Sequence, residues 1–341
     1  MCAVMFQPES IASAADAFNS KIRVRVRSVV YLAENTLGFE FVSPDGSSLP
    51  VFTAGSHIDV HLPGGLIRQY SLSSDPAEAH HYVVAVLLDP AGRGGSAAMH
   101  EHIRPGAEVT ISTPRNHFAI DPRAAYHLLI GAGIGITPMM AMVAELTRRD
   151  APFHLYYCSR SPERAAFLSE VSALANKGLA TLVHDYGVPA DGLDLKATLA
   201  NIREGSALYY CGPGGFLGAV EEAASHWPKA ALHSERFGAQ AGGSPPPVII
   251  EDDHCFDIKL ASTGETFHVD RSQTIVDVLR KHDINVDVSC EEGYCGTCMT
   301  RYLGGDPAHH DTVLDEEDRE EFLMICCARA RKKDDCLILD L

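Results

Sequence analysis

The sequence predicts a multidomain protein in which three different folds follow one another along 341 residues. An antiparallel β-barrel comes first, a doubly wound α/β domain second, and a small α+β domain last. Three observations carry this prediction. The apolar pattern changes from period two to alternating strand and helix signals, a Gly/Ser/Pro-rich stretch then interrupts the chain, and a cysteine-rich loop marks the last segment. An apolar content of 46% is normal for globular protein.

Residues 20–121 carry the barrel pattern. Short runs such as "IRVRVRSVVYL", "SHIDVHLP", "HHYVVAVLL" and "AEVTIS" alternate apolar with polar residues, and Gly and Pro separate them. Strict alternation places one set of side chains inside and the other outside, which predicts antiparallel strands joined by turns.

Residues 122–238 change to strand–helix alternation. Runs typical of buried strands, "YHLLIGAG", "FHLYYCS", "LATLVHD", "ALYYCG" and "AALHSE", alternate with the helical stretches "TPMMAMVAELTRR", "PERAAFLSEVSALAN" and "GGFLGAVEEAASH". Such alternation predicts a parallel sheet with helices on both faces.

Residues 239–247, "AQAGGSPPP", read as a linker that is semi-rigid at its proline end. The last segment, 248–341, combines short strands ("CFDIKLAS", "ETFHVD"), one helix ("TIVDVLRKH"), the cysteine loop and closing strands. It also holds 22 acidic and 10 basic side chains, whereas the whole chain has a net charge of −17. This surface disfavours nucleic acid and suits a basic protein partner, although solubility alone would also explain it.

The sequence predicts a cytoplasmic protein. A run of about 18 consecutive apolar residues, which a membrane span needs, is absent from the sequence. The first residues, "MCAVMFQPESIASAADAF", lack the positive region of a secretory signal. The ten cysteines are therefore expected to be reduced unless they hold metal.

The loop "SCEEGYCGTCMTRY" places three cysteines in the spacing C-x4-C-x2-C, at Cys290, Cys295 and Cys298. Thiolates are soft ligands for zinc or iron–sulfur clusters. This spacing is the plant-type 2Fe-2S pattern, which needs one more distant cysteine, and Cys326 and Cys327 are the two candidates. Structural zinc, a regulatory disulfide and plain buried cysteines are the alternatives.

The residues between the cysteines support a cluster. Gly293 and Gly296 let the backbone fold around the sulfides, and Thr297 offers a hydroxyl donor. Cys255 and Cys336 are expected to be core residues.

The stretch "LLIGAGIGITPMM" follows a predicted buried strand and enters a helix. Its glycines allow close backbone approach, Thr137 is the expected N-cap, and Pro138 takes the first helical position. The helix N-terminus can face a pyrophosphate. The same glycines, Gly131, Gly133 and Gly135, would also serve a turn that needs them for packing alone.

Two further strand ends predict a nucleotide crevice. Ser159 and Arg160 end the strand "YYCSRS", where an adenosine ribose would lie at the carboxyl edge of the sheet. Cys211, Gly212 and Pro213 end the strand of "YYCGPGGF" before a helix.

The barrel segment has its own candidate site. In "RQYSLSS" an arginine can clamp a phosphate and a tyrosine can lie along a flavin ring, although an edge strand with a salt-bridged arginine would show the same pattern. In "GRGGSAAMHEHI" a glycine-rich turn precedes a helix and forms a second anion site. The candidate residues are Arg68, Tyr70, Ser71, Gly94, Gly95 and Ser96.

Together these motifs resemble the ferredoxin–NADP reductase superfamily, with R-x-Y-S at the flavin site, G-x-G-x-T-P at the nicotinamide nucleotide site and C-G-P beyond the nicotinamide. Their order resembles the phthalate dioxygenase reductase and vanillate demethylase reductase family, and the last segment resembles a plant-type ferredoxin. The resemblance implies FMN with "GRGGS" as its phosphate loop, NADH as the nucleotide, and Phe237 near the flavin. It also implies Cys326, before "CAR", as the fourth ligand.

The resemblance implies the reductase component of a multicomponent Rieske oxygenase, often one of aromatic catabolism. NADH would give a hydride to FMN, and single electrons would pass through the 2Fe-2S cluster to a separate oxygenase. The cofactors carry this chemistry, so no residue is assigned as catalytic acid or base. The alternatives are a reductase for a haem monooxygenase and a non-enzymatic redox sensor.

Overall fold

The computed structural model describes residues 20–237, 254–333 and 335–341, and the predicted linker at 239–247 lies outside them. Over this range the predicted barrel, doubly wound sheet and α+β unit are all present. In the part of the chain that is described, no helix is both long and apolar enough to cross a membrane.

The barrel is a seven-stranded antiparallel sheet in the order β4-β3-β6-β1-β2-β5, with β7 paired to β3. A bridge between Leu72 and Val84 joins its two ends and closes it. Alternate side chains point inward to a core that includes Phe39, Phe41, Ile58 and Tyr82. The elements are β1 Lys21–Ala33, β2 Thr36–Val42, β3 Ser56–His61, β4 Ile67–Ser71, β5 Tyr82–Leu87, α1 Gly95–His102, β6 Glu108–Ser112 and β7 Arg115–Asn116.

The second unit is a parallel sheet of five strands in the order β10-β9-β8-β11-β12, covered by helices on both faces. From β8 the chain adds β9 and β10 on one side of the sheet and then β11 and β12 on the other. Ligands bind in such sheets at this switch point, which is the crevice between β8 and β11. The elements are β8 Tyr126–Ala132, α2 Ile136–Arg148, β9 Phe153–Ser159, α3 Leu168–Asn176, β10 Ala180–His184, α4 Leu195–Leu199, β11 Ser206–Gly212, α5 Gly214–Ala223 and β12 Leu232–Arg236.

Two of these helices are shorter than the sequence pattern predicts. The stretch that begins at Pro162 forms a short turn, and α3 starts only after Phe167, whose φ is +58°. The stretch from Gly214 stops being helical after Ala223, three residues early. Left-handed backbone at a non-glycine residue interrupts a helix, which explains the first difference.

The third unit, called here the C-terminal sheet, is a mixed sheet in the order β14-β13-β19-β15-β17, with a separate pair β16–β18. Its one helix packs its buried face on the sheet and begins with a capping box between Thr274 and Asp277. The elements are β13 Phe256–Leu260, β14 Thr266–Val269, α6 Ile275–Lys281, β15 Met299–Gly304, β16 Pro307–Ala308, β17 Phe322–Met324, β18 Arg329–Ala330 and β19 Cys336–Leu339.

Candidate functional site

The cysteine loop connects α6 to β15 and gathers four buried thiols. β15 and β17 pair antiparallel with Met299 opposite Met324, so the residue before one strand comes near the residues after the other. Gly293 and Gly296 have φ values of +76° and +81°, which glycine adopts without strain. The four thiols that this arrangement buries are Cys290, Cys295, Cys298 and Cys326, each no more than 5% exposed.

The four thiols lie in contact with one another: Cys290 interacts with both Cys295 and Cys326, and Cys298 interacts with Cys326. A hydrogen bond with Cys290, and then burial, raises the pKa of Cys295 far above that of a free thiol. Contact with Cys326, and then burial, does the same to the pKa of Cys298. A metal ion would bind these cysteines as thiolates, because coordination deprotonates a thiol and the positive charge of the metal compensates for burial.

The four cysteines fit one cluster of two metal ions better than a single metal ion. In residues 20–237, 254–333 and 335–341 a single group of three ligand atoms lies within 4.8 Å of one another, and it consists of Cys255, His268 and Asp270. No three of the buried cysteines converge in that way, as a mononuclear zinc ion requires. Four buried cysteines in mutual contact instead suit a 2Fe-2S cluster, in which each of the two irons takes two cysteines.

Cys327 takes a different place from its neighbour Cys326. It is partly buried, its Sγ lies 3.7 Å from the carbonyl oxygen of Met324, and it packs against the α-carbon of Gly293. The assignment of Cys326 as the fourth ligand stays a prediction. The expectation that Cys255 and Cys336 are core residues is wrong, because both are only partly buried.

The barrel site forms where β4 meets the N-terminus of α1. The Arg68 side chain crosses so close over Gly95 that a Cβ there would lie 2.3 Å from it. Its guanidinium donates to the carbonyl oxygens of Ile67 and Arg93, at 2.8 and 2.6 Å. Gly94 precedes the helix with a φ of +78° and turns the loop under this guanidinium.

This corner of the barrel has an excess of positive charge. Burial, and then the nearby charge of Arg93, lowers the pKa of Arg68. Among the residues that are described, no carboxylate forms an ion pair with Arg68, although Glu291, which pairs with Arg93 at 3.8 Å, offsets part of the positive charge. The N–H groups of the α1 first turn lie beside Arg68. An anion such as a flavin phosphate fits this environment.

Two other predicted flavin residues differ in their surroundings. Tyr70 is half-buried in the barrel, and burial raises the pKa of its hydroxyl. The Ser96 hydroxyl accepts from the backbone N–H of Asp89 at 3.0 Å. This bond holds together the two ends of the loop between β5 and α1.

The three glycines of the turn after β8 have different surroundings. A Cβ on Gly135 would lie 2.2 Å from the carbonyl oxygen of Cys211, so this glycine allows the turn to pack on β11. A Cβ on Gly131 would likewise lie 3.2 Å from the α-carbon of Ile136. Gly133, with a φ of +56°, has no atom within 4 Å of the added Cβ and faces open space. Gly133 is thus the glycine best placed for backbone approach to a ligand.

The helix after this turn starts earlier than predicted. Gly135 is its N-cap and Ile136 its first residue, so the expectation that Thr137 is the cap and Pro138 the first helical residue is wrong. The Thr137 hydroxyl instead donates to the carbonyl oxygen of Ile134 at 3.0 Å. Proline is tolerated here because the N–H groups of a first helical turn have no partner within the helix.

The other predicted nucleotide residues lie at the carboxyl ends of β9 and β11. Ser159 is buried and hydrogen-bonded to His184 Nδ1 at 2.8 Å, whereas Arg160 is exposed. Cys211 is fully buried, and Pro213 is the N-cap of α5 after Gly212.

The sequence analysis missed a carboxyl group that joins the barrel to the parallel sheet. Glu235 is opposite Cys211 in the pairing of β12 with β11, and the Ser71 hydroxyl donates to its Oε2 at 2.9 Å. Burial raises the pKa of Glu235 to about 8, and the bond from Ser71 opposes this shift. Phe237, two residues on, is 37% exposed beside this junction. The only sequence signal was the position of Glu235 inside "SERF".

The sequence analysis also missed a group of polar side chains on β3 and β4 that faces the cysteine loop. Asp59 pairs with Gln69 and His57 with Ser71, so period two puts these four side chains on one face, opposite Arg68 and Tyr70. Gln69 Nε2 donates to the carbonyl oxygen of Cys295 at 3.1 Å. Burial, followed by the charge of Arg115, holds the pKa of His57 well below its usual value.

One hairpin therefore contacts all three sites. It presents Arg68 to the glycine turn before α1, Ser71 to the parallel sheet and Gln69 to the cysteine loop. The fold and these sites define a class: flavin- and pyridine-nucleotide-dependent oxidoreductases with an attached 2Fe-2S ferredoxin unit.

Comparison with known proteins gives the family. Residues 258–331 match the 2Fe-2S iron-sulfur cluster binding domain, and residues 108–229 match the N-terminal domain of the dimethylamine monooxygenase subunit DmmA-like family. The chain is 43% identical to the vanillate O-demethylase oxidoreductase of Pseudomonas sp. strain HR199 over 94% of its length and 100% of that protein.

Two solved structures agree. The chain matches phthalate dioxygenase reductase with a TM-score of 0.70 at 34% identity, over 94% of this chain and 98% of that one. It matches an intact type IV self-sufficient cytochrome P450 monooxygenase with a TM-score of 0.80 at 34% identity, over 99% of this chain but 43% of that one. The chain belongs to the phthalate dioxygenase reductase and vanillate demethylase reductase family. It is an oxygenase reductase that uses FMN, a pyridine nucleotide and a 2Fe-2S cluster.

Proposed function

We propose that this chain is the NADH-dependent reductase of a two-component Rieske oxygenase, in the cytoplasm, where thiols stay reduced. The observation that carries the proposal is the β3–β4 hairpin, which contacts the glycine turn before α1 through Arg68, strand β12 of the parallel sheet through Ser71 and the cysteine loop through Gln69. When bound, the flavin supplies hydride acceptance and stepwise electron release, and the cluster supplies one-electron transfer. The protein supplies placement and a water-poor environment.

We assign the barrel residues to FMN. The guanidinium of Arg68 and the turn of Gly94 and Gly95 bind the terminal phosphate. The close approach of Arg68 to Gly95 and the excess of positive charge from Arg68 and Arg93 over Glu291 support this assignment. Tyr70 lies along the flavin ring, and Ser71 orients its edge from the Glu235 side. Ser96 supports the phosphate loop through its bond to Asp89. Phe237 covers the flavin until the nicotinamide arrives.

We assign the parallel sheet to NADH. The pyrophosphate lies over Gly133 at the start of α2, with Gly131, Gly135, Thr137 and Pro138 shaping that turn. The adenosine ribose lies at the end of β9, and the nicotinamide lies at the end of β11. The residues at those two strand ends are Ser159, Arg160, Cys211, Gly212 and Pro213.

We further propose that residues 20–121 are the FMN domain, 122–238 the NAD domain, 239–247 the linker and 248–341 the ferredoxin domain. Cys290, Cys295, Cys298 and Cys326 then hold the cluster.

Anaerobic titration with NADH tests the cofactor assignment. A bound FMN takes two electrons and a 2Fe-2S cluster takes one, so full bleaching should require roughly 1.5 equivalents of NADH. NADPH should reduce the protein much more slowly. Flavin that bleaches with one equivalent while the cluster stays oxidised would contradict the relay.

Reconstitution tests the partner. A Rieske oxygenase should be reduced and turn over with this chain and NADH. Similarity to a self-sufficient cytochrome P450 makes a haem monooxygenase the second candidate. Turnover with the haem protein and none with any Rieske protein would reverse the order. A redox sensor without enzyme activity would oxidise NADH slowly even with an artificial electron acceptor.

A further inference from the structure

A buried ion pair lies where the barrel meets the cysteine loop. Arg115 on β7 donates to Asp59 Oδ2 on β3 at 2.6 Å, and both side chains are 3% exposed. Removing charges from water costs several kcal/mol per ion, so a pair at this depth is weak evidence for stability alone. The pair therefore needs an explanation beyond holding the barrel together.

The third member of this group comes from the cysteine loop. The Thr297 hydroxyl donates to Asp59 Oδ2 at 2.9 Å and lies 3.4 Å from an Arg115 N–H donor. The same hydroxyl oxygen lies 3.3 Å from Cys295 Sγ. Thr297 thus stands between a proposed cluster ligand and a carboxylate of another unit of the protein.

A threonine hydroxyl has one hydrogen to donate. When Cys295 holds iron, its sulfur is a thiolate and can only accept, so Asp59 and Cys295 compete for that hydrogen. Asp59 is the closer acceptor, at 2.9 Å against 3.3 Å for Cys295 Sγ, and the Arg115 N–H occupies a lone pair of the same hydroxyl. The hydrogen therefore points to Asp59 and away from the sulfur.

We propose that Asp59 and Arg115 are positioning residues that withhold the Thr297 hydrogen bond from Cys295 and thereby lower the reduction potential of the cluster. Hydrogen bonds to cluster sulfurs stabilise the more negative reduced state and raise the potential. Because the pair belongs to the barrel, this tuning exists only while the C-terminal sheet is docked on it. The inference rests on the proposed role of the cysteine loop as a cluster site.

The main test replaces the pair by apolar side chains in the full-length holoprotein, as Asp59→Leu with Arg115→Met. Exchanging both partners keeps the net charge and avoids leaving one charge buried alone. Of the two acceptors that lie near the Thr297 hydroxyl, Asp59 and Cys295, Cys295 then remains. We expect the cluster potential, measured by EPR-monitored anaerobic redox titration, to rise by the equivalent of roughly tenfold, about 59 mV for one electron.

Thr297→Val supplies the second arm of a double-mutant cycle. Alone it should leave the potential nearly unchanged, because the hydroxyl hydrogen did not reach the sulfur. Combined with the pair exchange, it should abolish the rise. Thr297→Ser keeps the hydroxyl and should behave as the wild type. A pair exchange that leaves the potential unchanged, or a rise that persists without the hydroxyl, overturns the inference.

A matched control is an ion pair that does join the barrel to the C-terminal segment, Lys21 with Asp287 at 2.6 Å, in which the two side chains are 46% and 39% exposed. Lys21→Gln with Asp287→Asn weakens docking but leaves Thr297 alone, so the potential should stay at the wild-type value. If the apolar pair fails to fold, Thr297→Val still decides, because a lowered potential would show that the hydroxyl already donates to sulfur. Wild-type protein without any cluster signal would refute the proposed function instead.

Discussion

The carboxyl group of Glu235 should make the stability of the protein depend on pH in a predictable direction. Its side chain is 13% exposed, and burial raises its pKa from 4.5 to about 8. The unfolded chain ionises this group above about pH 4.5, whereas the folded protein keeps it protonated until about pH 8. The contribution of Glu235 to stability is therefore fully present below pH 4.5 and is lost as the pH rises toward 8. At 1.36 kcal/mol per pKa unit the loss is about 3 kcal/mol by pH 7 and up to about 5 above pH 8.

Glu235→Gln keeps the shape and the bond with Ser71 but cannot ionise, so it should remove this dependence. Thermal unfolding of both holoproteins between pH 5 and 8.5 measures it. The advantage of the variant should grow by about 2.7 kcal/mol from pH 5.5 to pH 7.5, or several degrees in Tm. Glu221→Gln is the control, since that side chain is 43% exposed in a pair with Arg236. A Tm difference that is constant with pH for Glu235→Gln would refute the reasoning.

Three further outcomes are expected. Serine at any proposed ligand should remove or weaken the EPR signal of the reduced cluster while NADH still bleaches the flavin, and Cys327→Ser should keep the signal; the reverse result for Cys326 and Cys327 would exchange their roles. Arg68→Ala should lose FMN on purification and Arg68→Lys should retain part of it; stoichiometric FMN in the alanine variant, or FAD in the extract, would contradict the phosphate assignment. Reduction of the oxygenase should slow steeply toward about 0.5 M salt, where screening acts within a few ångströms. Charge reversal on the acidic run "LDEEDREEF", residues 314–322, should flatten this dependence, and an unchanged dependence would show that the run is only a solvated face. The variants are Cys290→Ser, Cys295→Ser, Cys298→Ser and Cys326→Ser for the cluster, and Glu316→Lys, Glu317→Lys and Glu320→Lys for the run.

The structure gives the acidic run a physical route to the cluster. The Arg319 side chain, within the run, donates to the carbonyl oxygen of Asp311 at 3.2 Å. The next residue, Thr312, donates its N–H to the carbonyl oxygen of Gly293 in the cysteine loop at 3.0 Å. One loop thus separates the exposed carboxylates from the proposed cluster, which is why steering at this face should affect electron delivery and leave the NADH-to-flavin step unchanged.

Local patterns predicted most of the fold because each depends on a few neighbouring residues. Period-two alternation was enough for the barrel strands, and "GRGG" before an apolar-periodic stretch was enough to place the start of α1 near Gly95. The start of α2 was misplaced because Thr137 has cap chemistry, while the actual cap is set by the tight packing of Gly135 on Cys211. Tertiary contact overrode a local preference there.

Residues that act across domains could not be found in this way. Asp59 and Arg115 are 56 positions apart, and Thr297 lies 182 positions beyond Arg115. Each is an ordinary polar residue in the pattern of its own segment. A single sequence does not tell which residues of one sheet lie opposite which residues of another. Glu235 was hidden for the same reason, since its partner Ser71 belongs to another unit.

The alternation of β4 explains how one short strand can serve electron transfer on both sides. Arg68 and Tyr70 point to one face and Gln69 and Ser71 to the other, a consequence of side chains that alternate at every residue. A shift of one residue in the β3–β4 pairing would exchange the faces and separate all three sites at once. Closure of the barrel fixes that register, so its packing serves the relay as much as its stability. The buried Asp59 next to this strand then connects the same register to the cysteine loop.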